Sequence, residues 1–275
     1  MRSTSPPPIR RVRFTWPEQF EPRWTPDVPE LAVAANAVSL LMPHAEPYIV
    51  ASVRSATNDL GDPDLVARAR SYAGQEAQHH GQHRRYNDHL IGHYPRLVSV
   101  DRWFGRLFGF LRGRGTRFGL AFAAGFETIA FVAARWVDRN MGLFRGAEPT
   151  AATLFLWHLA EEVEHKEIAW DVYEASGGGL LRYAAATWTA GFVLAASALL
   201  AAWVMLAQDR RIWSPAAHLR LLRWSLSFVF AAVPVMVVSS LPGHHPSSLV
   251  DPSGLEHWLD YLDPSTSTVP EWALP

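Results

Sequence analysis

The 275-residue chain contains no cysteine. Iron–sulfur clusters, zinc ribbons, thiolate-ligated haem, cysteine nucleophiles and disulfides are thereby excluded, and any metal must be held by nitrogen and oxygen. Lysine is almost missing as well: of 25 basic residues only Lys166 is a lysine, which beside the abundant alanine reads as a coding bias of the genome. Net charge is small. With 26 acidic residues against the 25 basic ones the formal charge is −1, and the clustered basic excess of a domain that tracks a phosphate backbone is lacking. This argues against nucleic acid as a partner. From Glu30 onward no stretch alternates with period two in β-branched residues, so the expectation is an all-α protein. Histidine, by contrast, occurs twelve times.

Residues 1–29 carry seven prolines among arginines and two tryptophans and cannot hold a continuous helix. They read as an extended arm across the body, without the unbroken apolar core of a signal peptide, which predicts a cytoplasmic protein. Residues 30–179 read as a four-helix bundle. Its first helical region, Glu30 to about Asn58, should break or kink around His44-Ala45-Glu46, between Pro43 and Pro47. The second starts at Asp62-Pro63, an N-cap followed by proline at the first helical position, and runs to about Gly92. A glycine- and arginine-rich connection follows. The third runs from near Thr116 to about Asn140, and the fourth from near Thr150 to the stop at Gly177-Gly178-Gly179.

Residues 180–244 form a predicted hydrophobic helical hairpin. Tyr183 to Gln208 is 26 residues without a charge and Trp224 to Gly243 is 20 more, each long enough to cross a hydrocarbon core. The loop between them holds Arg210, Arg211, Arg220 and Arg223 against Asp209, and the positive-inside rule would put it in the cytoplasm. Spanning would then leave the bundle outside, against the missing signal peptide. The hairpin therefore either enters or lies on a membrane, or packs against the bundle or a second subunit, which leaves a homodimer open. Residues 245–275 read as an irregular tail.

The chemistry sits on two helices. In the second, Glu76, His79 and His83 fall within about 60° of one another, because each helical residue advances about 100°. In the fourth, His158, Glu161, Glu162 and His165 share a face. Glu-x-x-His thus occurs twice, as Glu76/His79 and Glu162/His165. Two such pairs plus one carboxylate from each of two further helices are what a dinuclear metal site in a four-helix bundle requires. Glu46 and Glu127 are available; Glu127 lies in a long apolar run, where a lone charge is costly unless paired, protonated or bound to a cation. Four carboxylates and two imidazoles suit iron or manganese, with zinc also allowed, and leave room for water, oxygen or substrate. His83 and His158 are candidates for a further ligand or a proton donor, and Glu161 for a proton shuttle. Asp171 and Tyr173 are candidates for positions behind the ligands, while Trp157 and Trp170 read as core packing.

The order Glu46, Glu76/His79, Glu127, Glu162/His165 resembles the ferritin-like di-iron carboxylate superfamily. More narrowly, Gly74-Gln75-Glu76 with His79, His83-x-x-Tyr86-Asn87, Trp157-His158, Glu161-Glu162-x-Glu164-His165-Lys166 and Asp171-x-Tyr173 resemble a bacterial family of predicted metal-dependent hydrolases, over roughly residues 30–205. That resemblance implies a ferritin-like bundle, two metal ions, a small-molecule substrate and, for an oxidase, an electron donor. The expected activity is oxidation of an organic, apolar substrate by oxygen at a di-iron centre. Hydrolysis by a metal-activated water, and metal or oxygen binding without catalysis, are the alternatives.

Overall fold

A computed structural model describes residues 5–17 and 20–254, and among these every regular element is helical. Eight α-helices follow in order: α1 Pro29–Thr57, α2 Pro63–His93, α3 Leu97–Arg112, α4 Thr116–Asp138, α5 Pro149–His165, α6 Ile168–Ala175, α7 Leu180–Gln208 and α8 Pro215–Ser239. Most of the predicted tail, residues 255–275, lies outside the described residues.

Helix α1 runs through Pro43 and Pro47 without the break that was one of the two outcomes expected there. A proline inside a helix orphans the carbonyl four residues earlier. For Pro43 that carbonyl belongs to Ser39, and the side-chain amide of Asn87 in α2 donates to it at 2.8 Å. The defect is thus repaired by the neighbouring helix. Helix α2 starts as the sequence requires: the Asp62 carboxylate accepts from Asp64 N at 2.9 Å and Leu65 N at 3.3 Å.

The glycine- and arginine-rich connection proves to be a helix, α3. Leu97, Val100, Phe104, Phe108 and Leu111 recur at helical spacing and are buried. That stripe outweighs the roughly 1 kcal/mol that an interior glycine costs. The fourth predicted helix is in fact two, divided at Lys166–Glu167. There the buried Lys166 directs its ammonium to the Leu249 carbonyl at 3.1 Å and to Asp251, partners far along the chain that local pattern does not reveal.

Helix α1 packs mainly on α2 and α7, and α4 on α1, α5, α6, α7 and α8. Gly125 lets α4 and α7 approach closely: a Cβ there would stand 2.6 Å from the Thr187 Cα. The two apolar helices pack chiefly on the rest of the protein and little on each other. Three helices, α4, α7 and α8, are long and apolar enough to cross a membrane, but the apolar windows are 78% buried in α4, 39% in α7 and 17% in α8. The loop arginines have partly internal duties, since Arg211 and Arg220 both pair with the buried Glu30, at 2.5 and 2.8 Å. The arm is fastened too. Trp24 stacks on Phe155 with ring centroids 5.1 Å apart and donates to Asn36 at 3.0 Å.

Candidate metal centre

The six predicted ligands come from α1 (Glu46), α2 (Glu76, His79), α4 (Glu127) and α5 (Glu162, His165), and all are buried. The structure brings them together. His165 Nδ1 lies 3.0 Å from Glu76 Oε1, 3.4 Å from Glu162 Oε2 and 3.9 Å from Glu127 Oε2. His79 Nδ1 lies 3.9 Å from Glu76 Oε2 and 3.6 Å from Glu162 Oε1. Glu76 and Glu162 therefore each turn one oxygen towards His165 and the other towards His79. The cluster has two ends, with Glu127 at the His165 end, and two carboxylates spanning both.

The donor atoms fit metal ions. Two atoms each about 2.1 Å from one ion stand about 3.0 Å apart at right angles, about 3.4 Å apart at the tetrahedral angle and about 4.2 Å apart when opposed, and these contacts, at 3.0 to 3.9 Å, fall within that span. Both oxygens of Glu46 and of Glu76, Glu127 Oε2, His79 Nδ1 and His165 Nδ1 are buried without any hydrogen-bond partner. Buried polar atoms are otherwise almost always satisfied, so this many orphans converging on one spot call for a cation.

The imidazoles are aimed from behind. Gln75 donates from Nε2 to Glu164 at 2.7 Å and to the Pro8 carbonyl at 3.0 Å, so its Oε1 accepts from His165 Nε2 at 2.9 Å. His79 Nε2 donates in the same way to Glu161 Oε2 at 2.7 Å. Each ring then donates outwards from Nε2 and turns Nδ1 to the cluster, the usual way a protein orients a ligating histidine. The second oxygen of Glu161 takes Arg10 of the arm at 2.9 Å. Trp157 closes the side of His79, edge to face with centroids 4.9 Å apart.

Charge follows this geometry. Burial, then the neighbouring carboxylates, push Glu46 and Glu127 well above the ordinary carboxyl range and raise Glu76 as well. Burial would also raise Glu162, but His165 and the hydrogen bond from His158 outweigh it and hold that carboxyl well below the usual range. Burial lowers His165, and its carboxylate neighbours more than reverse this, so it stands well above a normal histidine. His79 and His83 are pushed well below by burial. Tyr72, raised by burial and by Glu127, stays a phenol and donates to Glu127 Oε1 at 2.5 Å.

His158 and His83, singled out beside the main pairs, lie at the Glu46 side of the cluster. His158 Nε2 is 2.7 Å from Glu162 Oε1 and 3.7 Å from Glu46 Oε1, and its Nδ1 is 2.7 Å from His83 Nε2. Asp171 and Tyr173 are elsewhere: Asp171 binds Arg68 at 2.8 Å and His245 at 3.1 Å, and the Tyr173 hydroxyl donates to the Gly179 carbonyl at 2.8 Å. The sequence reading overlooked Tyr72, Arg10 and Ser39. Tyr72 carried a signal, one turn before Glu76 on its face; Arg10, in an arm without regular structure, carried none.

The family described as predicted metal-dependent hydrolase matches residues 8–249, and the chain belongs to it. The match takes in the arm from Pro8 and both apolar helices, a wider span than residues 30–205. No curated protein and no solved structure matches the chain.

Proposed function

We propose that the protein is a dinuclear-metal enzyme on a ferritin-like bundle and that it hydrolyses a small organic substrate. The observation that carries this reading is the set of buried, partnerless donor atoms at two linked ends, in a chain of a metal-dependent hydrolase family. Bound divalent ions would lower the pKa of a coordinated water towards neutrality and polarise the scissile group. The protein's own part is orientation and exclusion of bulk water. Glu76 and Glu162 link the two ends, Tyr72 steadies Glu127, and Glu161 and Gln75 act as positioning residues through His79 and His165. The test is turnover of esters, amides and phosphoesters by zinc- or manganese-loaded protein without oxygen. Activity that persists there and vanishes in Glu162→Ala supports hydrolysis. Oxidation of an organic substrate at a di-iron centre is the second reading, favoured by the carboxylate-rich donor set. Turnover confined to iron-loaded protein with oxygen would select it.

We also propose that the outward faces of α7 and α8 lie against a lipid surface. Phe192, Trp203, Phe230 and Val238 remain largely exposed on these apolar helices. At the turn joining them, Trp213 is 89% exposed and close in sequence to the exposed Arg210, a combination of aromatic and cationic groups that suits anionic headgroups. The protein should float with phosphatidylglycerol-containing vesicles and less with phosphatidylcholine alone; staying in the soluble fraction with both overturns this.

A further inference from the structure

The hydrogen bonds behind Glu162 make His158 Nδ1 a donor and turn Nε2 towards the carboxylates. The sequence of donors begins with Pro43, which leaves the Ser39 carbonyl to the Asn87 side chain. Since Asn87 Nδ2 donates there, its Oδ1 is the acceptor that faces the Ser39 hydroxyl at 2.8 Å. A serine hydroxyl has one hydrogen. With that hydrogen committed to Asn87, Ser39 Oγ accepts from His83 Nδ1 at 2.8 Å. A neutral His83 then has its lone pair on Nε2 and accepts from His158 Nδ1 at 2.7 Å. His158 Nε2 is then the nitrogen that faces the cluster, 2.7 Å from Glu162 Oε1 and 3.7 Å from Glu46 Oε1, and His158 and Glu46 bring donor atoms within 4.8 Å of one another. A proton there serves Glu162 alone, whereas a metal ion in its place would serve both carboxylates. The Glu46 oxygens, as noted, have no hydrogen-bond partner.

We propose that His158 Nε2 is a third imidazole ligand of the metal centre, so that the Glu46/His79 end carries two nitrogens and the Glu127/His165 end one. The proposal rests on the dinuclear reading above. Its spacing suits it: His158 lies one turn before Glu162 on α5, and the His79 and His158 rings stand side by side with centroids 4.1 Å apart. His83 and Ser39 act through His158 as positioning residues, as Glu161 does through His79. The ligand His158 also differs from the other two in tautomer, binding through Nε2 where they bind through Nδ1. The centre is therefore unsymmetrical, with its two ions of unequal affinity.

The experiment is nitrogen-15 histidine NMR of the full chain loaded with zinc, together with elemental analysis. Three histidines should show a metal-shifted nitrogen: His79 and His165 at Nδ1, and His158 at Nε2 with a proton on Nδ1. Metal shifts at His79 and His165 with His158 protonated on Nε2 overturn the proposal and leave the dinuclear reading intact. Absence of metal shifts at all three removes both. In variants, Ser39→Ala should weaken zinc binding by about 10- to 100-fold with helix content unchanged. His158→Ala should lose one of two zinc ions; retention of both with unaltered affinity overturns the proposal. Should His158→Ala fail to fold, the wild-type spectrum decides.

Discussion

Replacing Arg10 by methionine tests whether the arm is part of the centre's support. Arg10 donates to Glu161 at 2.9 Å and to both oxygens of Glu164 at 2.9 and 3.1 Å, and its side chain is 6% exposed beside a fully buried Glu161. Removing one partner of such a pair costs about 3–5 kcal/mol, because the other charge stays buried. At roughly 2–4 °C per kcal/mol for a chain of this size, the melting temperature should fall by about 6–20 °C. The loss depends on pH with a definite sign. Burial raises the Glu161 carboxyl, against the pull of Arg10, to about 7. A carboxyl raised in the folded state contributes its stability at low pH and loses it as pH climbs past the folded value. Without Arg10 that value moves higher still, so the variant should suffer more at pH 9 than at pH 6. Arg10→Met combined with Glu161→Gln removes the stranded charge and should recover much of the loss. Thermal denaturation of the four proteins in this cycle reads the result. A single-variant loss under about 1 kcal/mol, or a double variant no better than the single, would refute the reasoning.

Three further outcomes are expected. Burial and neighbouring carboxylates raise Glu46 and Glu127, and the carboxylates around it raise His165, so metal competes with protons at these groups; loading should release protons and binding should be tighter at pH 8 than at pH 6, as calorimetry in buffers of different ionisation enthalpy will register. Tyr72→Phe takes the donor from Glu127 and should weaken the ion at the His165 end while costing about 1–3 kcal/mol of stability, checked by metal titration and chemical denaturation. Gly125→Ala sets a methyl against the α7 backbone at Thr187 and should cost about 1–3 kcal/mol, measured by thermal melting; an unchanged midpoint would mean the two helices separate freely.

The candidate ligands were legible because Glu-x-x-His recurs at helical spacing on two helices, and Asp62-Pro63 marked the start of α2 correctly. What local pattern could not show was repair from outside the segment. Pro43 reads as a break only while Asn87 is out of view, and the turn at Lys166 depends on Asp251. Helix α3 was hidden by its glycines and arginines, although its five buried apolar residues carry the period. At the site, burial of Glu127 followed from its apolar run. The partners behind the ligands did not: Arg10 sits in a proline-rich arm, and its approach to Glu161 is a tertiary event. The resemblance covered the bundle, whereas the family match extends over the arm as well.

The central claim is that Glu76 and Glu162 tie two ions into one centre, each with an oxygen towards either end. Elemental analysis of zinc-loaded, extensively dialysed protein tests it most directly. The wild-type chain should retain two ions and Glu162→Ala should lose both at once. A wild type that holds one or none, or a Glu162→Ala variant that still holds two, would contradict it.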